Sequence, residues 1–121
     1  MNKLESLEDY LERILMLSEL QEHVRSIDIV NSMGYSKPSV SIAMKKLKAK
    51  GLIEIDDNGY ITLKEEGLKI ANKTYEKHKL IFNLLTSIGV SEEVAREDAC
   101  KIEHSLSEET VNKLKEYQKK K

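Results

Sequence analysis

The segment SKPSVSIAMKKLKAKGLIEIDDNGYITL, residues 36–63, predicts one helix followed by a β-hairpin. Pro38 suits the first turn of a helix, where a missing amide hydrogen costs little, and Gly51 is placed to end that helix. Two β-rich runs then flank the dipeptide Asn58-Gly59, which is typical of a tight hairpin turn. These runs are residues 52–55 and 60–63. The segment is therefore predicted to be a helix that leads directly into a two-stranded hairpin.

Two more helices are predicted before this segment, over residues 6–20 and 26–33. Apolar residues recur at helical spacing in both runs. Ser6 and Asp9 resemble a capping box at the start of the first helix, and Gly34 is placed to end the second. Three helices followed by a hairpin is the order of a winged helix-turn-helix, in which the second and third helices form the DNA-reading unit.

The remainder of the chain is predicted to be helical. A long helix begins near Lys64, Ser91 caps a further helix, and a last amphipathic segment begins near Ser107. The fold class is therefore mainly α, with a winged helix-turn-helix and its short β-hairpin wing over residues 1–63. A helical domain is predicted over residues 64–121.

Composition limits the classes of protein to which this chain can belong. It has 121 residues, of which 34% are charged and 40% hydrophobic, and a formal net charge of −1. No apolar run approaches the roughly 20 residues that a membrane-spanning helix needs. The N-terminus lacks the apolar segment of a signal peptide and the one cysteine cannot form an internal disulfide, so a cytoplasmic protein is expected. Any binding to nucleic acid must come from a local basic patch.

The third predicted helix carries such a patch. Five lysines occur over residues 37–50 with no acidic residue among them, and three serines lie near the N-terminus of the helix. Helix N-terminal amides, serines and lysines are groups that bind phosphate, so DNA affinity should depend strongly on salt. A lysine-rich helix can also be simply a solvated face, but its position before a hairpin favours DNA binding. The candidate DNA-binding residues are Ser36, Lys37, Pro38, Ser39, Ser41, Lys45 and Lys46.

A candidate metal site is indicated by the stretch Cys100-Lys101-Ile102-Glu103-His104. If the stretch is helical, spacings of three and four residues place Cys100, Glu103 and His104 on one face. A thiolate, a carboxylate and an imidazole are a partial coordination sphere for a divalent transition metal. The alternative is a buried thiol beside a surface ion pair, because a single cysteine is most often a small buried hydrophobe.

Further ligands would have to come from other segments. Asp9 and Glu12 are three residues apart on the first helix and so share a face, although they could be only a favourable first-turn charge pattern. His78 lies on the long helix, just before an apolar run. Carboxylates, imidazoles and one thiolate suit Mn²⁺, Fe²⁺, Co²⁺, Ni²⁺ or Zn²⁺ better than Ca²⁺ or Mg²⁺.

Four stretches of the chain, taken together and in order, resemble the diphtheria toxin repressor and manganese transport regulator family. They cover residues 6–12, 37–41, 77–80 and 98–107. The resemblance implies a metal-dependent transcriptional repressor that is a homodimer. Each subunit would have an N-terminal winged helix, a helical dimerisation domain, and metal sites between the two that bind Fe²⁺ or Mn²⁺. The loaded dimer would bind a palindromic operator and block transcription of metal-uptake genes.

Carried over by position, the resemblance implies a ligand set that mixes two branches of the family. Cys100 stands where the manganese-type members have glutamate and matches the cysteine of the iron-type members, which have methionine at the position of Asp9. Phe82 and Arg96 occupy two ligand positions of the iron-type ancillary site, so that site cannot form in the same way. The implied metal ligands are Asp9, Glu12, His78, Cys100, Glu103 and His104.

The thiolate bears on the choice of metal. It adds little for Mn²⁺, which binds most weakly in the Irving–Williams order, and it favours Fe²⁺, Co²⁺ or Zn²⁺. Our hypothesis is that Cys100 shifts the site toward Fe²⁺, with Mn²⁺ second, whereas Co²⁺, Ni²⁺ or Zn²⁺ could bind in vitro.

Two other functions remain open from the sequence. One is a metal-independent winged-helix dimer, whose operator binding would not respond to a chelator. The other is a small metalloenzyme, because a Cys, Glu and His set could hold a catalytic metal, but nothing else in the chain indicates a substrate pocket.

Overall fold

The computed structural model describes the backbone of residues 3–120 and the side chains from residue 7 onward. Within this range the chain forms six α-helices, one two-stranded sheet and one 3₁₀ turn. In chain order these are α1 (Lys3–Leu20), α2 (Ser26–Met33), α3 (Lys37–Ala49), β1 (Ile53–Ile55), β2 (Ile61–Leu63), α4 (Glu65–Ser87), α5 (Glu92–Ile102), the 3₁₀ turn Glu103–Ser105, and α6 (Glu108–Lys119). The mainly helical fold class with a hairpin wing is confirmed.

The chain divides into two compact units, with the boundary between Asn72 and Lys73 inside α4. The first unit contains the helix-turn-helix and the hairpin. Gly34 adopts a left-handed φ of 74° after α2, and its N–H donates to the carbonyl of Val30 at 2.9 Å, which closes the C-terminus of α2. This is the turn that connects α2 to the third helix.

The hairpin pairs its two strands in antiparallel register, with Ile53 opposite Leu63 and Ile55 opposite Ile61. The carboxylate of Asp56 organises the turn, since its Oδ1 accepts the N–H groups of Asn58 and Tyr60 at 2.9 Å each. The predicted hairpin is therefore present.

Two backbone contacts hold the hairpin to the rest of the first unit. The N–H of Ile61 donates to the carbonyl of Val24, in the loop between α1 and α2, at 2.7 Å. The first turn of α4 lies so close to Leu52 that a Cβ at Gly67 would collide with the Leu52 carbonyl oxygen. Only glycine fits this contact without a shift of the backbone.

Apolar side chains from all three helices and both strands form the core of the first unit. Its fully buried members include Leu11, Ile29, Leu47 and Ile53. Amphipathic spacing along each helix places these side chains on one face.

The second unit consists of the later part of α4, then α5, the 3₁₀ turn and α6. Its buried apolar residues are Leu80, Ile81, Ala95, Ala99 and Val111. Polar contacts join α6 to α4: Nε2 of Gln118 donates to the Leu80 carbonyl at 2.8 Å, and Lys73 pairs with Glu108 at 3.1 Å. The side chain of Ser91 caps α5, as the sequence predicts, and that of Ser107 caps α6.

Two local expectations are wrong. Helix α1 begins at Lys3, so Ser6 lies inside the helix and not at its N-cap, and its side chain is outside the described range. The stretch from Cys100 to His104 is not one continuous helix, because α5 ends at Ile102 and the chain tightens into a 3₁₀ turn. No helix in the described part of the chain is long and apolar enough to cross a membrane.

Candidate metal centre and DNA-reading helix

Three of the predicted ligands meet inside the second unit. Nδ1 of His78 on α4 lies 3.1 Å from Oε2 of Glu103 and 3.8 Å from Sγ of Cys100. One donor atom from each of these residues lies within 4.8 Å of the other two, a spacing that could hold a metal ion. The structure thus brings together a nitrogen, an oxygen and a sulfur from residues far apart in the sequence.

This cluster is withdrawn from solvent. The side chain of Glu103 is fully buried and that of His78 is 7% exposed, whereas Cys100 is half-buried. Burying a carboxylate is costly unless positive charge compensates it. A divalent cation would supply that charge, and the mixed N, O and S donors fit a transition metal better than Ca²⁺ or Mg²⁺. The residues present therefore fit the metal that the sequence indicates.

Two members of the cluster come from the end of α5 and the 3₁₀ turn that follows it. Cys100 and Glu103 are three residues apart, and the N–H of Glu103 still donates to the carbonyl of Ala99 as in an α-helix, so their side chains lie on the same side. His104 lies beside Glu103, with its Nε2 3.5 Å from Oε1 and its side chain 9% exposed. Glu103 therefore has one carboxylate oxygen near His78 and the other near His104.

Aromatic rings flank His78 on its own helix. The ring of Phe82 stacks on the imidazole at a centroid distance of 6.4 Å, and that of Tyr75 lies 6.3 Å away. These two rings are not among the predicted site residues, although their spacings of three and four residues to His78 could have indicated them. Arg96 lies over the Phe82 ring at 5.6 Å, so the two departures from the iron-type ancillary site contact each other.

Asp9 and Glu12, the two remaining predicted ligands, lie on α1 in the first unit. Glu12 is 5% exposed and Asp9 is half-buried. Between them in sequence, Tyr10 is buried and packs edge-to-face on Tyr35 at 5.7 Å. Burial raises the pKa of Tyr10, and the charges of Tyr35 and Asp9 add to the effect. The spacing of Asp9 and Glu12 places two carboxylates along one side of α1.

The predicted DNA-reading helix is capped by Ser36. Its Oγ accepts the N–H of Ser39 at 3.2 Å and its hydroxyl donates to Oγ of Ser39 at 2.9 Å. Ser36 therefore has a structural role at the N-terminus of α3. The other candidate DNA-binding residues are all exposed, namely Lys37, Pro38, Ser39, Ser41, Lys45 and Lys46.

A second aromatic cluster joins the wing to the loop between α1 and α2. The ring of His23 stacks on Tyr60 at 4.0 Å with an interplanar angle of 5°, and the guanidinium of Arg25 lies over Tyr60 at 4.8 Å. This cluster is not predicted from the sequence, because His23 and Tyr60 are distant along the chain. Its effect is to place the wing beside the start of α2.

Comparisons with known proteins agree with this arrangement. The chain matches a model described as "Iron dependent repressor, N-terminal DNA binding domain" over residues 4–68. It matches a second, "Iron dependent repressor, metal binding and dimerisation domain", over residues 64–120. The transcriptional regulator MntR of Escherichia coli O6:H1 is 36% identical over 116 residues, which cover 96% of this chain and 75% of that protein.

Two solved structures are also similar. The manganese regulator SloR is 32% identical with a TM-score of 0.79, and the match covers 93% of this chain and 53% of that one. IdeR of T. acidophilum is 27% identical with a TM-score of 0.82, and the match covers 97% of this chain and 54% of that one. This chain therefore spans about half the length of these two structures.

Proposed function

The chain belongs to the iron-dependent repressor family of metal-dependent, DNA-binding transcriptional regulators, which are not enzymes, and we propose that its own corepressor is Fe²⁺, with Mn²⁺ second. The proposed ligands are Asp9, Glu12, His78, Cys100, Glu103 and His104. The observation that supports this most strongly is the buried group of His78, Cys100 and Glu103, whose donor atoms lie within 4.8 Å of one another.

The case for Fe²⁺ depends on Cys100. Its sulfur lies 3.8 Å from Nδ1 of His78, so a sulfur donor is available beside the imidazole. Thiolate is a softer ligand than carboxylate and contributes more to Fe²⁺ than to Mn²⁺. The names of the relatives MntR and SloR point toward manganese, and Cys100 is the residue that would distinguish this chain from a manganese-type site.

The proposed control of DNA binding follows from where the carboxylates lie. Asp9 and Glu12 belong to the DNA-binding unit, whereas His78, Cys100, Glu103 and His104 belong to the other unit. A bound cation would supply the positive charge that lets carboxylates from both units be ligands of one site. Without that charge the carboxylates repel one another, and the DNA-binding units of a dimer would not keep one spacing.

The target is proposed to be a palindromic operator bound by a homodimer in the cytoplasm, where the complex represses metal-uptake genes. The two α3 helices of a dimer would enter successive major grooves, whose half-site centres lie about 34–36 Å apart. Ser39 and the lysines Lys37, Lys45 and Lys46 would contact phosphates, while Ser36, Pro38 and Ser41 would lie near the groove. Phosphate contacts of this kind make the affinity fall steeply as salt rises.

The deciding experiment measures binding to the DNA upstream of the protein's own gene. Anaerobic titrations would compare Fe²⁺, Mn²⁺ and Zn²⁺ with a chelator control. We expect tight binding only with metal, tightest with Fe²⁺, and its loss in Glu103→Gln. The exposed carboxylate Glu109 provides a matched control as Glu109→Gln, which should keep the response to metal. Equal binding in chelator would contradict the proposal and support a metal-independent winged-helix dimer.

A further inference from the structure

Helix α3 has one large apolar side chain on its solvent face, that of Ile42. The opposite face supplies the core with Val40, Ala43, Met44 and Leu47. Ile42 is 55% exposed, so more than half of a large apolar side chain remains in water. Its packing therefore adds little to the fold, and isoleucine is also a poorer helix former than the lysines around it. Neither core packing nor helix propensity accounts for an isoleucine at this position.

The neighbours of Ile42 on that face are groups suited to nucleic acid. Pro38 and Ser39 lie one turn before it, and Lys45 and Lys46 lie one turn after it. All four are exposed. Lysine side chains are long enough to reach phosphates while a shorter residue between them faces the groove. Ile42 is thus the apolar centre of a basic surface in the domain that the family uses to bind DNA.

The charge around Ile42 also decides between possible occupants. A protein interface centred on this residue would have to bury Lys45 and Lys46, and lysine is depleted from protein–protein interfaces. DNA can instead pair those ammonium groups with phosphates. An exposed apolar residue is unremarkable when isolated on a neutral surface, but here the surrounding charge selects a polyanion.

We propose that Ile42 reads thymine in the operator by packing against the C5-methyl group in the major groove. This proposal rests on the proposed function, since it assumes that α3 enters that groove. Thymine is the one DNA base that presents a methyl group there, so apolar contact distinguishes it from cytosine. A β-branched side chain in a helix has one dominant χ1 rotamer, so Ile42 loses little conformational freedom on contact.

The test removes the methyl group and the isoleucine separately and together. Metal-loaded full-length protein first selects a duplex from a random-sequence pool. That duplex is then remade with deoxyuridine in place of thymidine, one symmetric pair of positions at a time. Wild-type protein should lose about fourfold in affinity per half-site at one pair of positions, the value expected for one buried methyl-sized group.

Three variants make the test specific. Ile42→Ala should bind the thymidine duplex more weakly and show no further loss with deoxyuridine at that pair. Ile42→Val, which keeps a β-branched methyl, should retain most of the discrimination. Leu20→Ala, at an 82% exposed position on α1, should behave as wild type. Because Ile42 is exposed, all variants should unfold at the wild-type temperature.

The outcomes separate this proposal from the function on which it rests. If deoxyuridine weakens wild type and Ile42→Ala equally, or weakens neither, Ile42 does not read thymine even though the protein binds DNA. If the selected duplex binds equally well in chelator, the proposed metal control is wrong. The role of Ile42 is then still decided by comparing the thymidine and deoxyuridine duplexes. Failure to enrich any duplex would overturn both.

Discussion

The two units of this protein bury different chemistry. Leu11, Ile14 and Leu47 are among the largest fully buried side chains of the first unit, all of them apolar. Among the described side chains of the second unit, Glu103 is the one member of that fully buried set, and the buried apolar residues of this unit are fewer. A fold held by apolar burial needs no ligand, whereas a buried carboxylate beside two imidazoles is stabilised further by a cation. The second unit is therefore where stability and metal binding should be coupled.

The largest loss of stability should come from disrupting the apolar core of the first unit. Leu47→Ala removes a fully buried side chain from the core of the first unit and should cost about 2–5 kcal/mol of unfolding free energy. The difference in stability from the wild type should be the same with and without metal, because the cavity lies among apolar groups and metal binding stabilises both proteins alike. Chemical denaturation with and without Mn²⁺ measures this, and Leu20→Ala serves as an exposed control. A difference between Leu47→Ala and the wild type that shrinks in the presence of metal would contradict this expectation.

The next largest effect should be the stabilisation that metal binding at the buried Glu103 cluster provides. At a free metal concentration of about 100 times Kd, binding to the folded state alone should add about 2.7 kcal/mol to the stability of the wild type. Glu103→Gln should abolish this gain without lowering the metal-free stability by a similar amount, because it also removes a buried charge.

Thermal unfolding with Mn²⁺ and with chelator gives both values for Glu103→Gln. The exposed Glu109→Gln is the matched control and should respond to metal as the wild type does. A full metal response in Glu103→Gln would show that the buried carboxylate is not a ligand.

A smaller effect concerns which metal stabilises the second unit. Cys100→Glu replaces a soft donor with a hard one and should reduce the preference for Fe²⁺ over Mn²⁺. Competitive anaerobic titration, read out by thermal stabilisation, measures the ratio. Identical ratios in the variant and the wild type would remove the argument for Fe²⁺.

The smallest effect should come from an exposed ion pair of the second unit. The hydrogen bond that Lys73 donates to Glu108 is the main cause that lowers the pKa of this carboxyl, and the positive charge of Lys73 lowers it further. The pKa of Glu108 is lower in the folded state than in the unfolded state. The ion pair therefore stabilises the protein at a pH above the unfolded-state pKa, and this stabilisation is lost as the pH falls through the folded-state pKa. Because Glu108 is exposed, solvent and salt screen the interaction.

Glu108→Gln should therefore leave the thermal midpoint near neutral pH almost unchanged in moderate salt. At low salt it should flatten the acid limb of the stability profile slightly. A large loss at neutral pH would mean that the link between α6 and α4 matters more to the second unit than its buried cluster does.

Much of the fold could be read from local signals along the chain. Gly34 and Gly51 end helices through backbone conformations that glycine adopts without strain, and Ser91 and Ser107 cap helices with their own side chains. These effects depend on a few adjacent residues, which is why helices α2 to α6 and the hairpin agree with prediction to within a few residues. The predicted start of α1, with Ser6 as its N-cap, is wrong. A capping pattern within an amphipathic run does not prevent the helix from beginning earlier in the chain.

The sequence by itself determined which donors exist and that they could share helix faces. It determined the order of helices and strands as well, because periodicity and turn chemistry are local. Only the tertiary structure decided that His78 lies 3.1 Å from Glu103, that the segment after Ile102 tightens into a 3₁₀ turn, and that Ile42 is left in water. Burial and distance depend on how helices pack against one another, and packing joins residues whose separation along the chain carries no signal.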